Sequence, residues 1–255
     1  MISFHVRGSA AWSPGLETAE QWAKWAHEPR ALEREGRPEL LFVPPLMRRR
    51  CDQLSRMMLW AAHACCPAEL LPEVNAVFAS RHGAFGTMVG MLEELAGQRT
   101  LSPAAFSHSV HNTQAGLFSI WARNPRVSSS VAAGAATFGH GLLEALGILH
   151  AEPDRPVLYV CGDEAIPEPV RGICDHDQGA FALALLLTTH GEGAPLDFAL
   201  DTSSDARPLA YPDALEFLRW LRLDGEELRL GPPRAGFRFR RAPTPSPSAG
   251  TPDSC

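Results

Sequence analysis

The residue types that do covalent chemistry are present in this chain, but not at the spacings that chemistry needs. There is no GxSxG elbow to present a serine, no GxxxxGK[ST] or GxGxxG loop to cradle a phosphate, and no HExxH pair to hold zinc. Ser128-Ser129-Ser130 stands where an extended segment runs into a helical one, and the positive end of a helix favours an attacking oxygen there. Serine is equally at home at such a place as a cap or turn residue, and spacing assigns no base to it. His108 and His111 flank the segment before Asn112, each as fit for packing or hydrogen bonding as for shuttling a proton. Cys174-Asp175-His176-Asp177 is the single run of metal-ligand types. Adjacent ligands rarely converge on one ion, so an exposed turn is expected there, with no metal and no cofactor. Arg48-Arg49-Arg50 reads as a solvated turn able to attract an acidic partner. From residues alone no active site emerges.

Something must position these groups, and composition says what kind of body it is. The 255 residues, 45 % apolar and 20 % charged, fit a globular domain. The net charge of −6 argues against nucleic acid as a partner. No apolar run reaches the ~18–20 residues of a bilayer span, and the start lacks a signal-peptide layout, so a cytoplasmic protein is expected. Six cysteines without a CxxC pair suggest buried thiols.

Strands are expected over 2–12, 75–80, 126–132, 156–161, 180–188 and 237–240. Helices are expected from Glu17 to His27, after an Asp52 cap, from Thr87 to a Gly97 cap, after Asn112, from Ala135 to His150, and from Pro212 to Leu223. The segment from Phe106 to Asn112 reads as extended. Met57, Met58, Met88 and Met91 read as core filler. Strands such as Pro156–Cys161 and Ala180–Thr188 are apolar on both faces, which implies an α/β sheet covered on two sides. The domain is placed at 1–241. The Pro/Ser-rich end, 242–255, has too little apolar residue content to order itself.

Three stretches in order carry a resemblance: Met47-Arg48-Arg49-Arg50 with Leu54-Ser55-Arg56-Met57, then Ser80-Arg81-His82-Gly83, then Ser107-His108-Ser109-Val110-His111-Asn112-Thr113-Gln114-Ala115-Gly116. Over roughly 1–190 they resemble the N-terminal half of β-ketoacyl-acyl-carrier-protein synthases, and more closely the short β-ketoacyl synthase-like proteins found with aryl-polyene biosynthesis and regarded as chain-length-factor-like partners. The resemblance implies a thiolase-like half-fold, a mixed sheet with helices on both faces and without the C-terminal half that supplies the family's histidines. It puts Ala133 about where the nucleophilic cysteine belongs, and no cysteine occurs between 124 and 150 whatever the register. A methyl group cannot attack a thioester. About fifty residues after 188 are too few for a second half.

The resemblance therefore implies a non-catalytic subunit that pairs with an active ketosynthase and shapes the pocket of its growing acyl chain, with an acyl carrier protein as a further partner. The helices and sheet that normally pack on the second half would be left partly uncovered. Phe106, Ser109, His111, Asn112, Phe118 and Trp121 are candidates for the partner or pocket face, with Phe106, Phe118 and Trp121 as walls. Arg48, Arg49 and Arg50 are candidates for carrier-protein docking. Two rivals stay open. One is a serine acyl transferase or thioesterase using 128–130 with His108 or His111. The other is a docking module that organises the carrier protein without touching the chain.

Overall fold

The computed structural model describes residues 1–97, 100–174, 179–191, 195–203 and 209–242. In chain order the elements are β1 (Ile2–Trp12), α1 (Ala19–His27), α2 (Pro45–Arg48), α3 (Gln53–Cys65), β2 (Asn75–Ala79), α4 (Phe85–Ala96), α5 (Pro103–His108), α6 (Thr113–Ala122), β3 (Ser128–Val131), a 3₁₀ turn (Gly134–Ala136), α7 (Thr137–Ala151), β4 (Val157–Asp163), α8 (Glu168–Arg171), β5 (Phe181–Thr188), β6 (Leu196–Asp201), α9 (Asp213–Arg222), β7 (Glu227–Leu230) and β8 (Gly236–Arg241). Local chemistry sets several of these ends. Thr18 and Gln21 close a capping box at α1. Asp52 caps α3 by accepting the Ser55 N–H at 2.7 Å. Arg123 turns left-handed (φ 51°) to stop α6.

The strands form one mixed sheet in the order β3-β2-β4-β5-β1-β6-β8-β7. β2 runs parallel to β3 and β4, and every other pairing is antiparallel. Because side chains alternate along a strand, the central strands feed two cores at once. Val77, Ala79, Val157, Tyr159, Cys161, Leu183 and Leu185 face the core built with α1, α7 and α9. Ala76, Phe78, Leu158, Val160, Ala182 and Ala184 face the one built with α3 and α6. The expected α/β class, and helices on both faces, are what the chain adopts.

Three expectations are corrected. The sheet face toward α7 is not left bare, because the chain covers it with its own C-terminal helix. Leu215, Phe217 and Leu218 of α9 are buried together with Trp22 and Trp25 of α1 and Leu142, Leu146 and Leu149 of α7, and Arg219 donates to the Ala26 carbonyl at 2.8 Å. Residues 106–108, expected extended, instead end the helix α5, which Ser102 caps by accepting the Ala105 N–H and Pro103 begins. Met57 and Met58 are core residues, but Met88 is exposed on α4. Strands β6 and β7 escaped the sequence reading, and both extend the sheet beyond β1. The metal-ligand run beyond Cys174, and the C-terminal segment 243–255, lie outside the described residues. Among the described residues no helix is long and apolar enough to cross a membrane.

Candidate functional site

β3 is the outermost strand on its side of the sheet. It hands over to α7 through Ala132, Ala133 and the Gly134–Ala136 turn. At this junction the Ala133 N–H donates to Thr137 Oγ1 at 2.9 Å, and that hydroxyl donates to the Gly134 carbonyl at 2.8 Å. Gly134 has φ +57°, which only glycine adopts without strain. The residue offered at the junction is thus a methyl group on a well-fixed backbone.

The loops beside it are tied down by two consecutive carboxylates at the end of β4. Asp163 Oδ1 accepts the Ser80 hydroxyl at 2.8 Å and the N–H groups of Arg81 at 2.9 Å and His82 at 3.1 Å. Glu164 reaches the other way and accepts the Leu54 N–H of α3 and the Gly86 N–H of α4, both at 3.0 Å. Burial raises the pKa of Glu164, and nearby Asp52 and Asp163 add to that against the two N–H donors. Sequence reading missed both acids, although an Asp-Glu pair closing an otherwise apolar strand was the signal available. His111 belongs to the same corner, with Nε2 donating to the Ser80 carbonyl at 3.3 Å.

A cleft of about 430 Å³ opens at the start of α7. Its lining includes Arg81, Gly134, Thr137, Cys161, Asp163 and Asp213. Cys161 is the thiol nearest in kind to the missing nucleophile, but it is not a replacement. It is buried, and burial together with Asp163 pushes its pKa up, while a hydrogen bond with Tyr159 opposes. A thiol held protonated does not attack. The serines fare no better. Among the described residues no hydroxyl of Ser128, Ser129 or Ser130 bonds a histidine, and Ser130 Oγ is buried without a partner.

The wall candidates separate. Phe118 is fully buried and packs against Phe78 at 5.4 Å between ring centroids, inside the core. Trp121 is half-buried, tilted against Phe42 and edge-on to His63. Phe106 is 62 % exposed on α5. Ser109 donates to the Phe106 carbonyl at 2.9 Å, and Asn112 sits at the N-cap of α6 without a side-chain cap bond. α5 packs against α4, whose Met88, Leu92 and Leu95 are also exposed, and Val110, Ile120 on α6 and Val127 before β3 are exposed apolar groups as well.

Arg48 donates to the Leu40 carbonyl at 3.4 Å, and Arg49 and Arg50 are exposed. Arg56, beside them, donates to the Arg48 carbonyl at 3.0 Å. Its pKa is lowered by burial and by Arg37 and Arg48. Among the described residues these arginines make no ion pair, which leaves a basic patch.

The sequence from residue 22 to residue 237 matches the family model for the beta-ketoacyl synthase N-terminal domain. No curated protein matches the chain. Among solved structures, a chain of the ketosynthase (ApeO) in complex with its chain length factor (ApeC) from Xenorhabdus doucetiae is 29 % identical, with a TM-score of 0.79, covering 94 % of this chain and 100 % of that one. The ishigamide ketosynthase/chain length factor is 14 % identical, with a TM-score of 0.59, covering 79 % and 68 %. A beta-ketoacyl synthase from Burkholderia phymatum STM815 is 12 % identical, with a TM-score of 0.62, covering 89 % and 71 %. These last two share the fold. With a family match spanning most of its length, this chain belongs to the beta-ketoacyl synthase N-terminal domain family.

Proposed function

We propose that this chain is a non-catalytic, chain-length-factor-like subunit that pairs with an active ketosynthase and shapes the space into which the partner's acyl chain grows. The observation that carries the reading is the junction after β3, where the backbone is fixed by Thr137 but the side chain is the methyl of Ala133. Cys161 offers no substitute, because it stays protonated. The fold likeness to a chain of a ketosynthase–chain length factor complex supports the pairing. So does the exposed apolar surface of α4 and α5, which pack against each other, because exposed apolar surface of this kind marks an interaction site. An interface of roughly 2,000 Å² would cover it. Unpaired Arg48, Arg49 and Arg50 suit an acidic acyl carrier protein delivering the substrate, and aryl-polyene or related polyketide precursors are the substrates that this reading assigns.

The test is co-expression with ketosynthases encoded beside the gene. Co-purification of a stoichiometric complex, whose condensing activity disappears when the ketosynthase's own nucleophile is replaced, is the expected result. A stable monomer that binds none of them, or that condenses acyl units alone, overturns the reading.

A further inference from the structure

The segment from Leu40 to Arg50 is firmly held, yet it turns two large apolar side chains outward. Leu40 and Val43 are buried in the core built with α3 and α6, and the Val43 N–H donates to the Leu40 carbonyl at 3.0 Å to close the turn between them. The Arg48 guanidinium donates to that same carbonyl at 3.4 Å, which folds the end of α2 back against the turn. Arg56 holds the other side through the carbonyls of Arg48 at 3.0 Å, Cys51 at 3.3 Å and Pro38 at 3.4 Å. On this fixed backbone Leu41 is 76 % exposed and Leu46 75 % exposed.

Their neighbours are cationic and aromatic. The Arg49 N–H donates to the Pro45 carbonyl and the Arg50 N–H to that of Met47, so the helical turn continues past α2. Residues three and four apart share a face, which sets Leu46 beside Arg49 and Arg50, both exposed. Arg37 is exposed too, and Glu39 is the only acid between residues 37 and 50. Half-buried Phe42 stacks on His63 at 3.8 Å between ring centroids, and Trp121 Nε1 donates to the Phe42 carbonyl at 3.4 Å. In a chain of net charge −6, this is a local cationic exception with leucines at its tip.

A bilayer interface takes those three kinds of group together: leucines enter the acyl boundary, aromatic rings sit at headgroup depth, and arginines meet anionic lipid. An acidic protein surface would use the arginines, but charge alone leaves the two leucines in water.

We propose that the 41–50 segment docks this chain on the surface of a bilayer containing anionic lipid, with Leu41 and Leu46 inserted and Arg48, Arg49 and Arg50 on the headgroup phosphates. The inference does not rest on the pairing role. An acyl carrier protein that uses these arginines has to displace the lipid first.

The test is co-sedimentation of the full-length chain with vesicles of phosphatidylcholine, alone or with about 30 mol % phosphatidylglycerol. Binding to the anionic vesicles should be at least roughly tenfold tighter than to the neutral ones, and should weaken in about 0.5 M NaCl. Arg49→Glu with Arg50→Glu should abolish it. Leu41→Ser with Leu46→Ser should weaken it roughly tenfold at an unchanged melting temperature. Leu200→Ser, at a leucine 63 % exposed on β6, should bind as the wild type does. No binding to anionic vesicles, equal binding to both kinds, full binding without Leu41 and Leu46, or an equal loss in Leu200→Ser would each overturn the proposal. A chain that binds an acyl carrier protein through these arginines but no anionic vesicle would overturn it as well, and would leave the pairing role standing.

Discussion

Glu164 Oε2 accepts the backbone N–H of Gly86 at 3.0 Å, while Oε1 of the same carboxylate accepts that of Leu54 at the same distance. One side chain at the end of β4 thereby fixes the starts of two helices, α3 and α4, and α4 carries part of the exposed apolar face. Removing it leaves two N–H groups without their partner. Glu164→Ala should destabilise the fold by about 3 kcal/mol in urea denaturation, and Glu164→Gln, which keeps one acceptor, by roughly half of that. Equal, negligible losses for both variants would mean that the clamp contributes nothing.

Asp213 gives the chain a pH signature. Burial raises its pKa from 3.8 to about 6, with nearby Glu216 adding to the shift while the Gly231 N–H and Arg81 oppose. Between those two values the folded protein binds more protons than the unfolded one, so stability falls as pH rises. The change attributable to this group across about pH 4 to 6 is roughly 3 kcal/mol. Asp213→Asn should flatten that part of the stability curve relative to wild type. Parallel curves for the two proteins would show that Asp213 does not titrate this way.

The cysteines test whether any thiol took over the lost nucleophile. Burial pushes Cys51 up to about 11, Cys65 up to about 12 and Cys66 up to about 11, and raises Cys161 further still. Among the described cysteines only Cys174 is partly exposed. With iodoacetamide at pH 8, mass spectrometry of the native protein should find Cys174 alkylated well before these four, which become reactive on denaturation. Early modification of Cys161 would reopen the question of a covalent role.

How far the sequence spoke depended on whether a signal was local. Asp52 capping α3, the strand from Asn75 and the apolar run of β5 were legible because periodicity and capping are short-range. β6 and β7 were not: Leu196–Asp201 and Glu227–Leu230 are short, and they become strands by pairing with β8 and, for β6, also with β1. The cover that α9 provides was invisible for the same reason, since a helix pattern does not say which face it will lie on. At the site, Ala133 could be placed only through resemblance. Asp163 and Glu164 went unnoticed because their partners lie some 80 to 110 residues away in the chain.

Phe106 and Phe118 were indistinguishable as letters, twelve residues apart on neighbouring helices, and the structure gives them opposite work. Phe118 fills space beneath β2 in contact with Phe78, so Phe118→Ala should cost about 3–5 kcal/mol through lost burial and the cavity left behind. Phe106 and Ile120 face outward, so Phe106→Asp and Ile120→Asp should leave the melting temperature of the isolated chain nearly unchanged. If α5 and the edge of β3 form the pairing face, the same two aspartates desolvate a charge in the interface and should lower the yield of complex with a ketosynthase at least tenfold in co-purification. Intact pairing with both aspartates in place would move the partner surface elsewhere. A Phe118→Ala variant that kept full stability while altering product length would return that ring to the role of a pocket wall.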